Sequence, residues 1–573
     1  MRGNLVVRRF RWLLLALPLT VAVAQVPPPP PPPTPLQPPP VPPGNPITTA
    51  KTNLGKVLFW DEQLSSTRTT ACGSCHQGRS GGTDPRSLAG SLRAANPGPD
   101  GVRGTADDVV GSPGVPLADA AGAYQWNAAY GLGEQVTPRM ANSHINAAYA
   151  GRLFWDGRAA PAFVDPVTGD TVLFNGAALE SQAVGPPVSS TEMAHSGRDW
   201  ADIVARLQVS TPLALATFVP PALETWLAGR TYPQLFTEAF GSPAITPARI
   251  AMAMATYERT LFSNQTPFDS LLAGTATLTP LENQGRQLFG ALPCAGCHGG
   301  SVMSDNLFHY IGESPATEDS GFFQVAGVPG SVGQMRTPSL RNVGLRKSYM
   351  HDGRFHSLEE VVAFYNRGGD FTAPNKAPAI APLGLTPQQQ TALVAFLRRP
   401  LIDPRVANET APFDRPSLFS ESELVPQVLG GGIAGSGAAI PQPIALEPPL
   451  SGNPDFTLGV QGALGGAAAV LVIDASEPPA DGGIPASGSF ARVEVALQGA
   501  GAGAGWGSAD VPVPANPALR GQVLYGRWYV SDPGAAGGVA ASPSFRFKVF
   551  GPGGDGVLAV DSGSLPGRAT ADH

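Results

Sequence analysis

The sequence predicts a mainly α-helical chain that ends in an all-β sandwich domain. Three observations carry this. Residues 48–399 hold capped segments with helical periodicity. The four cysteines of the 573-residue chain fall in two copies of one pattern, Cys72-Gly73-Ser74-Cys75-His76 and Cys294-Ala295-Gly296-Cys297-His298. After Pro400, short alternating apolar runs appear, parted by Gly, Pro and Ala. Cys-x-x-Cys-His is the covalent attachment signature of haem c. Both thiols form thioethers with the vinyl groups, and the adjacent histidine becomes the proximal iron ligand. The helical part is therefore expected to form two cytochrome c-like haem domains. Its cofactors are two covalent haem c groups, one on Cys72, Cys75 and His76, the other on Cys294, Cys297 and His298. A single four-thiolate zinc site leaves both histidines unexplained.

Taken in order, Arg2, Arg8, Arg9 and Arg11 precede the apolar run Trp12 to Ala24, with a small-x-small cleavage site before Gln25. Residues 1–24 read as a signal peptide, with an apolar run shorter than the roughly 20 residues of a spanning helix. No later stretch is apolar enough to span, so a soluble periplasmic or secreted bacterial protein is expected. Residues 25–47, mostly proline, form a stiff linker. The first haem domain covers 48–245, where Leu54, Val57 and Leu58 mark a helix before Cys72. The second covers 246–405. Thr246-Pro247 opens a bridging helix, Thr279-Pro280-Leu281-Glu282 caps the helix before Cys294, and Thr386-Pro387-Gln388-Gln389 caps the closing one. Residues 406–450 read as a linker and 451–573 as the β-sandwich, with strands at 456–460, 469–473, 490–497, 522–530 and 545–550. Within the first haem domain, 80–136 is a loop-rich insertion and 163–178 a short hairpin. The clustered aspartates at 100–108 do not match an EF-hand and read as a solvated loop. A formal net charge of −7, more negative without the signal arginines, excludes nucleic acid as a partner.

The helical region resembles the bacterial dihaem cytochrome c peroxidases and their MauG-type relatives. The resemblance rests on Asn53 to Asp61, Leu153-Phe154-Trp155-Asp156-Gly157-Arg158-Ala159, Glu180-Ser181-Gln182 and Thr191-Glu192-Met193 around the first haem. Around the second it rests on Glu258-Arg259-Thr260-Leu261, Arg336 to Asn342, Tyr349 to Gly353 and Leu358 to Tyr365. It implies that the haem on His76 meets hydrogen peroxide, while the haem on His298 stores and relays electrons. Peroxide reduction needs an open iron position, a group that moves protons between the two oxygens, and two electrons. Glu192 is the proton-transfer candidate, with a helix-start carboxylate as its plainer role. Gln182, ten residues earlier, matches the family's distal-pocket partner, and Pro186 walls the pocket. Trp155 matches the tryptophan between the haems; its plainer role is a core aromatic.

Tyr365 stands where ordinary dihaem peroxidases carry a methionine ligand and MauG-type members a tyrosine. A phenolate lowers the potential of ferric iron and favours higher oxidation across both haems. The alternative is a buried tyrosine with Met350 or Met303 on the iron. The distal histidine that closes the first iron in many relatives has no counterpart from Gln77 to Ser143, since His144 follows Pro138-Arg139. The first iron is therefore expected open, unless Tyr124, Trp126 or Tyr130 blocks it. An interdomain calcium is common in the family, but Met140 replaces its usual asparagine, leaving Asn142 as substitute. His309, His351 and His356 are expected to serve propionates, and His195 the surface. Three functions compete. The first is a peroxidase fed by a small c-type cytochrome or cupredoxin. The second is a MauG-like oxidase of a partner protein or other substrate. The third is a non-enzymatic dihaem electron carrier.

Overall fold

A computed structural model of the chain describes residues 34–481 and 483–553. The expected signal peptide, the first part of the proline-rich linker and residues 554–573 lie outside them.

Helix α1 (Thr49–Trp60) starts where Thr48 Oγ1 accepts from Lys51 N at 3.3 Å. The short helix α2 spans Ala178–Ala183, and α3 spans Pro247–Glu258 behind the cap Thr246. Helix α4 (Pro280–Ala291) has the capping box of Thr279 and Glu282. Helix α5 (Leu358–Arg367) has that of Ser357 and Glu360, and α6 (Pro387–Arg398) that of Thr386 and Gln389. One packing device occurs twice. Where α1 crosses α3, a Cβ on Gly55 would lie 2.0 Å from Ala253 O. Where α4 crosses α6, a Cβ on Gly285 would lie 1.9 Å from Ala392 O. Each helix that leads into a haem-attachment turn is thus pressed onto its partner at a residue without a side chain. Leu54, Leu58, Ile250 and Met254 fill the first core; Phe289, Phe364, Leu393 and Phe396 fill the second.

Two expectations about linkers need correction. The end of the proline-rich segment is docked, with Leu36 and Asn45 buried. Asn45 Nδ2 donates to Glu180 Oε1 at 2.8 Å and to Met252 O at 2.9 Å. Residues 406–450 supply two strands, β1 (Gln427–Val428) and β2 (Gln442–Ile444), as well as the turns between them. Beyond them lie β3 (Thr457–Gly465), β4 (Ala468–Asp474), β5 (Ala491–Ala496), β6 (Gly501–Asp510), β7 (Val523–Ser531), β8 (Val539–Ala541) and β9 (Phe545–Lys548). One antiparallel sheet runs β2-β3-β6, the other β5-β4-β7-β9-β1 with β8 beside β7. Leu458 and Val460 of the first sheet share a core with Leu471, Trp528 and Phe547 of the second, so the two faces form a sandwich. Strand β6, Gly-Ala-Gly-Ala-Gly at its start, carries no alternation to find. Pairing with β3, from Thr457↔Asp510 onward, makes it a strand. The hairpin pairs Phe163–Val164 with Thr171–Leu173, as expected.

The loop-rich insertion and the sandwich hold each other. Tyr124 donates its hydroxyl to Glu447 Oε1 at 3.0 Å, and Trp126 stacks on Trp506 with centroids 6.4 Å apart. Leu132 N donates to Gln461 Oε1 at 2.9 Å. Arg68 and Arg206 meet Asp455 at 2.9 and 3.4 Å. The aromatic residues that were candidates to block the first iron are therefore directed elsewhere: Tyr124 and Trp126 to the sandwich, Tyr130 OH to Val136 O. In the aspartate loop, the carboxylates of Asp100, Asp107 and Asp108 accept from Val102 N, Asp100 N and Gly104 N, as a self-capped solvated loop does.

Candidate functional site

Each Cys-x-x-Cys-His segment forms one helical turn opening on a cleft. At Cys72–Cys75, Ala71 N donates to Ser74 Oγ at 2.9 Å, and Gly73 lies flat on the Trp60 ring, whose Nε1 donates to Tyr257 OH at 3.1 Å. His76 Nδ1 is 3.2 Å from Gly82 O; His298 Nδ1 is 3.3 Å from Met303 O. A carbonyl on Nδ1 places the proton there and leaves Nε2 with a free lone pair, the tautomer a metal needs. Burial holds both imidazoles neutral, His298 down to about 4. The four thiols are unpaired, and each opens partly onto its cleft. The cavity beside His76 has a volume of about 1040 Å³ and the one beside His298 about 190 Å³. Paired thiols, a free imidazole nitrogen and a largely apolar cleft fit a covalent haem at each.

The first cleft brings the expected residues together. Gln182 from α2, Pro186, Glu192, Phe154 and Trp155 line it with Cys72, Cys75 and His76. Helix α2 is fixed by a buried fork: Arg259 Nη1 and Nη2 reach Glu180 Oε1 and Oε2 at 2.8 and 2.7 Å, both side chains at most 1% exposed. Glu192 does not start a helix. It sits in a turn in which Glu192 N, Met193 N and Ala194 N all point at Ser189 O, 2.9–3.1 Å away. Gly114 backs this turn so closely that a Cβ there would lie 1.9 Å from Thr191 O and 2.9 Å from Glu192 Cα. Burial pushes the Glu192 carboxyl up; a Ser189 hydrogen bond and the charge of Arg158 pull it back in part. Burial raises both the Cys72 and Cys75 thiols, and the charge of Glu192 adds a smaller part. His144 stands beside His76, ring centroids 5.6 Å apart, with its Nδ1 3.3 Å from the same Gly82 O.

Trp155 lines both clefts, its Nε1 donating to Met140 O at 2.9 Å. Tyr365 and Met350 line the second cleft, whereas Met303 packs its side chain into the surrounding core. Burial pushes the Tyr365 phenol well up. His309 pairs with Asp305 at 2.9 Å, next to Cys297, which lifts it to about 10. His356 N bonds Glu360, and His195 lies near the surface.

Sequence reasoning gave Glu258 no role of its own and His351 only that of a propionate partner. Glu258, at the end of α3, lines the first cleft with its carboxyl pushed to about 8 by burial. His351 faces Trp155, ring centroids 6.3 Å apart. The two occupy equivalent turns: Phe154-Trp155-Asp156-Gly157-Arg158 closes between Leu153 and Ala159, and Met350-His351-Asp352-Gly353-Arg354 between Tyr349 and Phe355. Phe154 and Met350 share positive φ, 65° and 71°. The repeated Asp-Gly-Arg was the available signal.

A family model described as di-haem cytochrome c peroxidase matches residues 49–277, and one described as cytochrome c matches 283–399. Cytochrome-c peroxidase IdrP1 of Denitromonas iodatirespirans is 31% identical over 419 residues, covering 66% of this chain and 90% of that protein. Methylamine utilization protein MauG of Methylorubrum extorquens is 31% identical over 360 residues, covering 62% and 78%. Among solved structures, a MauG-like protein associated with microbial copper homeostasis has a TM-score of 0.46 at 27% identity, covering 66% of this chain and 96% of that one.

Proposed function

The chain belongs to the di-haem cytochrome c peroxidase family, which includes the MauG proteins, and from that premise we propose that it is an exported peroxidase reducing hydrogen peroxide in the cleft of His76. The observation that carries this reading is the enclosure of Glu192 and Gln182 in the same cleft as the first attachment turn. His76 Nε2 and the thiols of Cys72 and Cys75 would hold the first haem; His298, Cys294 and Cys297 would hold the second. Once bound, haem would supply the iron that meets peroxide and the electrons that cleave the O–O bond. The Glu192 carboxylate takes the proton from one peroxide oxygen at a carboxylate oxygen and returns it to the departing one. Gln182 orients the peroxide through its amide, and Pro186 and Phe154 wall the cleft. Two protons and two electrons turn one peroxide into two waters. A small c-type cytochrome or cupredoxin would supply the electrons, and Trp155, lining both clefts, stands in the wall they would cross.

With both haems attached, Glu192→Gln should lower peroxide turnover by about 10²-fold or more; wild-type turnover would remove Glu192 from the mechanism. A second reading, MauG-like oxidation of a partner protein, is favoured by Tyr365 facing the second cleft. Burial opposes a phenolate there unless a cation stands opposite the oxygen. A near-infrared band of His/Met ligation in the oxidised protein would assign the ligand to Met350 and favour the plain peroxidase.

A further inference from the structure

A group of largely buried donors lies in the wall that the two clefts share: Glu313 lines the second cleft, Asp352 the first and His351 both. Glu313, His351 and Asp352 each place one ligand-capable atom within 4.8 Å of the others. Glu313 is 4% exposed and His351 6%. His351 Nδ1 is 2.7 Å from Glu313 Oε2. The other carboxylate oxygen, Glu313 Oε1, is buried without a hydrogen-bond partner, which is unfavourable for any polar atom and more so for a charged one.

Comparison with the equivalent turn shows what is missing. Asp156 is neutralised by two guanidinium groups, Arg139 at 2.6 Å and Arg158 at 2.8 Å. Asp352 has neither. Arg139 forks onto Asp319 with two contacts of 2.6 Å, and Arg354 turns to Asp370 at 3.3 Å. Asp352 accepts the backbone N–H of Arg354 at 3.1 Å. The carboxyls of Glu313 and Asp352 therefore share one corner. The corner is rigid. Met140 N donates to His351 O and Val110 N to Asp352 O, both at 2.8 Å, while Gly312 O receives Asp370 N and Phe371 N at 2.8 and 3.0 Å.

We propose that Glu313, His351 and Asp352 form a binding site for one divalent transition-metal cation, of the manganese or zinc class, in the wall between the clefts. Two carboxylate oxygens and one imidazole nitrogen suit such ions. A doubly charged ion balances both carboxylates and gives Glu313 Oε1 its missing partner. With Nδ1 on the ion, Nε2–H points toward Asp319 Oδ2, 3.7 Å away, the outer carboxylate that commonly orients a ligating histidine. The donors differ from Met140 and Asn142, where the family resemblance places calcium.

The test uses the full haem-loaded protein, stripped with EDTA and titrated with MnCl2 and, separately, ZnCl2. Elemental analysis should find one equivalent of the added metal per chain beyond the haem iron. Glu313→Gln and Asp352→Asn should each weaken binding at least about tenfold, with haem content unchanged. No uptake by the wild-type holoprotein at millimolar metal overturns the proposal, whatever the variants do. So does binding that survives both substitutions. An infrared carbonyl band of a protonated carboxyl, lost in Asp352→Asn and unaffected by either metal, would assign the corner to a shared proton instead.

Discussion

Substituting Gly114 by alanine tests whether the position of Glu192 sets the rate. The new Cβ would lie 1.9 Å from Thr191 O. Ordinary contact begins at 3.4 Å, so the Ser189–Ala194 turn must retreat by roughly 1.5 Å. Gly114 does not have positive φ, and alanine costs nothing in backbone conformation. The displacement falls on the turn that aims Glu192, because Thr191 O and Glu192 Cα are the atoms struck. A misplacement of about 1 Å in a catalytic group can cost about 10²-fold in rate, or about 2.7 kcal/mol of barrier. Steady-state peroxide reduction with a chemical electron donor, normalised to haem content, measures it. The expected result is a fall of that size in kcat with both haems attached. In the Glu192→Gln background, Gly114→Ala should add little, since both changes remove one function. Wild-type kcat in the single variant would refute the link between this turn and the chemistry.

Further predictions follow from the same geometry. In α4, Gly285→Ala should destabilise by about 1–3 kcal/mol because its Cβ strikes Ala392 O, whereas Gly290→Ala, with nothing within 4 Å, should stabilise by up to about 1 kcal/mol; thermal unfolding of the two variants gives opposite shifts. Glu447, pushed to about 8 chiefly by burial, holds its proton more tightly folded than unfolded. Its contribution, on the order of a few kcal/mol, is complete below the ordinary carboxylate range and is lost as pH rises through about 8. Between about pH 5 and 9 the wild-type Tm should therefore fall more than that of Glu447→Gln, which calorimetry reads directly. Trp155→Phe removes the Nε1 bond to Met140 O from the wall between the clefts, and should slow electron equilibration between the haems in stopped-flow spectra. Unchanged kinetics would leave Trp155 as packing alone.

Much of this protein is written locally. Two Cys-x-x-Cys-His turns, the Thr-Pro start of α3, the Thr-Pro capping boxes of α4 and α6, and the apolar runs of β4 and β7 depend on residues within one turn or strand of each other, so the chain itself declares them. Glu192 and Gln182 were legible because their spacing matches a family pattern, not because ten residues of chain force two side chains into one cleft. Only the tertiary structure decided the rest. Strand β6 exists because β3 pairs with it, and Asn45 is buried because Glu180 accepts its amide. Tyr124 serves the sandwich because Glu447, far along the chain, reaches its hydroxyl. The charge state of Asp352 likewise depends on which carboxylates claim Arg139 and Arg354, a competition among groups distant in sequence and close in space.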